Sequence, residues 1–77
     1  MHQVVLYGTP GCHLCEQAAA DLAQLRRRHE FELREVDIHS DPDLERRFLI
    51  EIPVIEVDGH IVSQAPIELD VVAAALR

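Results

Sequence analysis

Cys12-His13-Leu14-Cys15 constrains this chain more than any other stretch. It holds the only two cysteines and separates two segments of different period. Before it lies an apolar run, His2 to Tyr7, whose Val4-Val5-Leu6-Tyr7 is rich in strand formers and is followed by the turn cluster Gly8-Thr9-Pro10-Gly11. After it, Leu14, Ala18, Leu22 and Leu25 recur at helical spacing. The chain therefore passes from strand to helix at the cysteines. A two-residue spacer puts both sulfurs on one helical turn, near enough to bond. The first cysteine then stands at a helix N-terminus, where unpaired N–H groups and partial positive charge favour a thiolate. A pair placed in this way is expected to be redox-active.

The pair does not read as a scaffold. A bridge across two residues closes too small a loop to staple a fold. The 77 residues suffice for a single domain spanning 1–77. Tyr7, Phe31 and Phe48 are the only aromatics, so Val, Leu, Ile and Ala must build the core. Stability of about 5 kcal/mol or less is expected at this size. The net charge is −7 and all seven basic residues are Arg, which argues against nucleic acid and against an anionic membrane. The start Met1-His2-Gln3 lacks a basic leader, and no apolar run approaches the roughly 20 residues of a membrane span. A monomeric cytoplasmic protein is the expectation. Arg26-Arg27-Arg28 reads as a helix's last turn complementing its dipole.

The first helix is expected from about Cys12 to His29. Phe31 to Ile38 reads as a second strand, but its alternation slips between Leu33 and Val36, and only Arg34 to Ile38 is clear. Ser40 caps a second helix over about Pro42 to Ile50, with Pro42 and Asp43 in its first turn and Leu44 and Phe48 on one face. Pro53 to Val57 is a third strand, Asp58-Gly59 a hairpin turn and His60 to Ser63 the returning strand. Pro66 starts a last helix that turns Ile67, Val71, Ala74 and Ala75 inward. The right-handed crossover rule makes the first two strands parallel, and the hairpin adds an antiparallel pair. The result is a four-stranded mixed sheet with helices on its faces.

This order, β-α-β-α-β-β-α with Cys-x-x-Cys at the first strand–helix junction, resembles glutaredoxins and the minimal thioredoxin fold. The resemblance is carried by Val4 to Tyr7, Thr9 to Cys15, Val36-Asp37-Ile38, Ile52-Pro53-Val54-Ile55 and Val57-Asp58-Gly59, and is narrowest to small bacterial glutaredoxin-like proteins. It implies an α/β thioredoxin-like fold with helices on both faces of the sheet. It implies that Cys12 attacks, that Cys15 resolves, and that Pro53 is a cis-proline facing them. Ile52 would then offer backbone N–H and C=O groups to an extended substrate, with Thr9 and Tyr7 lining the site. His13, as an imidazolium, would favour the Cys12 thiolate; an outward-pointing His13 would tune little. His2, His29, His39 and His60 read as surface residues at strand ends and turns, and Asp37 and Asp41 as capping and surface charge.

Two departures bear on the electron donor. Many glutaredoxins hold glutathione's carboxylates with a basic residue shortly before the first cysteine, whereas Tyr7 to Gly11 is uncharged here. The family's glutathione-holding Gly-Gly-Cys-Asp type of stretch is replaced by Ser63-Gln64-Ala65-Pro66, and Arg46 and Arg47 on the second helix read as solvated charges rather than as substitutes. The thioredoxin pattern is absent too, since no Trp precedes Cys12. The expectation is a thiol–disulfide oxidoreductase without a tightly bound cofactor. It would act on a protein or small-molecule disulfide, with a reductase or glutathione as donor. Two alternatives stand beside it. One is a metal or iron–sulfur site, for which one Cys-x-x-Cys supplies two ligands where a structural zinc wants four. The other is a binding module that keeps the fold without turnover.

Overall fold

A computed structural model describes residues 1–77. The elements follow in the expected order: β1 (His2–Gly8), α1 (His13–Leu25), β2 (Phe31–Asp37), a 3-10 turn (Ile38–Ser40), α2 (Pro42–Phe48), β3 (Val54–Val57), β4 (His60–Gln64) and α3 (Leu69–Ala75). The four strands form one sheet in the order β2-β1-β3-β4. β1 and β2 are parallel, and the pairs β1–β3 and β3–β4 are antiparallel. No helix is long and apolar enough to cross a membrane.

Because side chains alternate along a strand, the central strands β1 and β3 feed two cores. On one face Val4, Leu6, Ile55 and Val57 meet Ala18, Leu22 and Leu25 of α1 and Val72 and Leu76 at α3. On the other, Val54 packs with Ile38 and Phe48, flanked by Tyr7, Leu44 and Ile52. There the Tyr7 and Phe48 rings lie 4.8 Å apart. Packing on both faces also explains the broken alternation in β2. The whole of Phe31–Asp37 is strand, with Phe31 and Leu33 against the α1 side and Val36 on the opposite parity.

Four expectations are corrected. α1 stops at Leu25: Arg28 and His29 N–H groups both donate to the Leu25 carbonyl, so the arginine run forms the turn after the helix. Arg26 then lies over the Phe31 ring at 5.7 Å. Leu14 is exposed, and Cys15 takes the buried place in the first turn. Asp41, not Ser40, caps α2, its carboxylate accepting from the Asp43 N–H at 2.9 Å, while Ser40 donates back to the Asp37 carbonyl. α2 also ends at Phe48, leaving Leu49 and Ile50 exposed.

The last helix differs most. It begins at Leu69 because Ala65 to Glu68 is tied to neighbouring chain: Ala65 N–H donates to the Glu51 carbonyl at 3.2 Å and Glu68 N–H to Ser63 Oγ at 3.0 Å. Its inner face is Val72 and Leu76, four residues apart, with Ile67, Leu69, Ala73 and Ala75 beside them. Val71 and Ala74 face outward. The hairpin is as expected. Asp58 and Gly59 have φ of 51° and 87°, the left-handed pair of a type I′ turn. Asp58 also accepts the Gln3 N–H at 2.8 Å and pairs with His2, and these bonds hold its carboxyl below the ordinary range.

Candidate active site

The site is built where β1 ends and α1 begins. Cys12 is the N-cap of α1, in extended backbone, and its Sγ accepts the Cys15 N–H at 3.2 Å. Its sulfur therefore fills one of the donor positions a helix start leaves open. Cys12 and Cys15 are joined by a disulfide, with Cα atoms 5.2 Å apart. The two ends of the bridge differ. Cys12 is half-buried, while Cys15 keeps 7% of its surface and packs beneath the helix start. Cys12 is thus the more exposed of the two.

Tyr7 pairs with Val54, so the same register carried one residue further sets Pro53 beside Gly8. The Ile52–Pro53 bond is cis. Ile52 N–H already donates to the Phe48 carbonyl at 3.0 Å. What Ile52 can give an extended substrate is its carbonyl. A second cis bond, Ala65–Pro66, lies just beyond β4.

Thr9, Gly8 and Cys15 line a cleft of about 520 Å³ between α1 and β2, floored by Leu6 and Ala19. Glu16 of α1 and Glu35 and Asp37 of β2 are among the residues lining it, and the Asp37 carboxylate also accepts the His39 N–H at 2.9 Å. Tyr7 sits otherwise. Its ring belongs to the α2-side core and its hydroxyl donates to Glu56, and burial, then that carboxylate, pushes the phenol above its ordinary range. His13 is outward, its side chain 99% exposed, with Glu16 as a neighbour at 3.8 Å. No His, Asp or Glu gathers with the sulfurs into a group of three metal-ligating side chains.

Two features of the site carry no signal of their role in the sequence. Glu35 carries no local signal, since it reaches the cleft only through the pairing Leu6↔Glu35 of β1 with β2. Gly8 looked like part of the turn cluster, yet it is the last residue of β1 and touches the site directly.

A four-stranded mixed sheet with three helices and a cysteine pair at the first strand–helix junction defines a protein of the thioredoxin fold. Within that class the chain belongs to the glutaredoxin-like domain family (DUF836), which it matches over residues 3–77. It is similar to protein Ne2328 of Nitrosomonas europaea, solved by NMR, with 31% identity, a TM-score of 0.89 and coverage of 99% of this chain and 92% of that one. It is also similar to the protein XcR50 of X. campestris, with 32% identity, a TM-score of 0.71 and coverage of 92% and 91%. Oxidised mitochondrial thioredoxin 3 of Saccharomyces cerevisiae shares the fold, with a TM-score of 0.69 at 14% identity over 97% of this chain and 76% of that one. No curated protein matches the sequence significantly.

Proposed function

We propose that this protein is a thiol–disulfide oxidoreductase in which Cys12 is the nucleophile and Cys15 the resolving thiol. The observation that carries it is the asymmetry of the Cys12–Cys15 pair: a half-exposed sulfur capping a helix, bonded to a buried one. In the reduced protein the Cys12 thiolate attacks a substrate disulfide. One substrate sulfur leaves as thiolate and a mixed disulfide forms. Cys15, deprotonated, then attacks Cys12 Sγ, the second substrate thiolate leaves, and the Cys12–Cys15 bridge remains. The Ile52 carbonyl, beside cis-Pro53, accepts a hydrogen bond from the substrate backbone.

Charge supports a donor other than glutathione. Glutathione is an anion, and Glu16, Glu35 and Asp37 line the cleft next to Cys15 in a chain of net charge −7. Like charges at this range slow encounter. A dithiol reductant, small or protein-borne, regenerates the reduced pair by taking up the bridge as its own disulfide.

The test is disulfide reduction in insulin with dithiothreitol as the recycling reductant. The wild type is expected to accelerate it, Cys12→Ser to be silent, and Cys15→Ser, reduced and freed of dithiothreitol before it meets insulin, to hold a mixed disulfide on Cys12. A wild type no faster than dithiothreitol alone would overturn the reading.

A further inference from the structure

The three glycines of this chain are glycine for different reasons. Gly11 and Gly59 have φ of 76° and 87°, which only glycine adopts readily, and a Cβ on either would meet nothing within 4 Å. Gly8 is the reverse. Its backbone is not left-handed, and it pairs in the ladder with Asp37. A side chain there would instead collide with the redox centre. A Cβ on Gly8 would stand 2.9 Å from Cys15 Sγ and 3.0 Å from Cys15 Cβ. Real Cβ atoms essentially never come so near, and Cys15 is buried, with little room to yield.

The geometry points to Gly8 as a positioning residue for the redox reaction: its missing side chain is the space in which the Cys15 sulfur sits when bonded to Cys12. This deepens the proposed function and rests on it. The clearance matters more to the disulfide than to the dithiol. In the bridge, Cys15 Sγ is held from both sides, by its own Cβ and by Cys12. In the dithiol the bond to Cys12 no longer fixes its χ1, and the sulfur can turn toward another staggered well. A methyl group at position 8 therefore raises the free energy of the bridged state more than that of the open one. It also displaces Cys15 from its line of attack on Cys12, so the mixed disulfide lives longer.

The experiment is a redox titration of Gly8→Ala against the wild type, read by trapping thiols at each ratio of reduced to oxidised dithiothreitol. In each exchange the Cys12–Cys15 bond breaks, each of its sulfurs gains a hydrogen, and dithiothreitol closes to its cyclic disulfide. The equilibrium is expected to move at least fivefold toward the protein dithiol; a tenfold shift corresponds to about 30 mV for this two-electron couple. A folded Gly8→Ala within twofold of the wild type would overturn the proposal. If Gly8→Ala does not fold, Gly8→Ala/Cys15→Ala decides. Recovery of a folded protein once the sulfur is removed supports the clash, and failure of the double variant, which keeps only the 3.0 Å approach to the position-15 Cβ, overturns the sulfur as its cause. The titration needs no substrate and no turnover, so a shifted equilibrium in a protein that fails the insulin assay would sink the proposed function and leave the role of Gly8 in the bridge intact.

Discussion

Cys12 has a second duty that can be separated from its chemistry: it caps the helix that carries it. Its Sγ accepts the N–H of Cys15, three residues on, at 3.2 Å. Replacing it with Ser or with Ala removes the disulfide equally, so the two variants are compared in the same redox state. Ser keeps a side-chain acceptor at the N-cap and Ala does not. Losing an N-cap acceptor costs about 1 kcal/mol, within a range of roughly 0.5–2. In a domain of this size 1 kcal/mol moves the melting temperature by about 4–8 °C, and with a urea m-value near 1 kcal/mol per molar the midpoint moves by about 1 M. Cys12→Ser is therefore expected to be more stable than Cys12→Ala by that margin, in urea melts followed by far-UV circular dichroism. Both are expected to be inactive. Two melts that coincide within about 0.3 kcal/mol would show that a side-chain acceptor at position 12 does not stabilise α1, since that gap lies below the weakest measured caps.

Three further outcomes are expected. Val72→Asp buries an unpaired carboxylate in the α3 face of the core and should unfold the protein, a loss of about 4 kcal/mol or more, whereas Val71→Asp on the exposed side should cost about 1 kcal/mol or less; equal urea midpoints would contradict the helix phase. The Glu45 carboxylate, bonded to the His39 ring, raises the His39 pKa. The stabilisation from this clasp is therefore complete below the ordinary histidine value of about 6.5 and is lost as pH rises through the raised one. NMR titration of His39 should show a midpoint above the ordinary value that falls back in Glu45→Gln, and a wild-type midpoint at or below the ordinary value would refute it. Glu35→Lys should speed oxidation of the dithiol by glutathione disulfide by about threefold to tenfold at low ionic strength, with the gain shrinking in high salt; an unchanged rate would remove the charge argument against glutathione.

Much of the frame was legible because it rests on period and punctuation. The apolar β1, the Ala18-Leu22-Leu25 stripe and the Asp58-Gly59 turn each announce themselves within a few residues. Where neighbours compete on equal terms, the sequence is silent. Val71 and Val72 are equally apolar, and only the packing of α3 on β3 and β4 chooses between them. Ser40 and Asp41 both cap well, and Ser40 is drawn back to the Asp37 carbonyl. The cysteine pair was legible, and the cis bond at Pro53 was expected through family resemblance. The surroundings of the pair were not legible. Glu35 reaches the site only through sheet register, which no local pattern encodes, and the contact of Gly8 with Cys15 depends on how β1 runs beneath α1.

The clasp of Asp58 onto His2 and Gln3 has a practical consequence for handling the molecule. It pins the beginning of β1 to the hairpin turn, at the end of the strand away from Gly8. With a rise of about 3.3 Å per residue, that anchor lies roughly 20 Å from the cysteines. A tether, dye or fused partner attached through Met1 would leave the sheet on the side remote from the disulfide. A surface coated with the protein through its first residue would present every Cys12–Cys15 disulfide outward, toward solution.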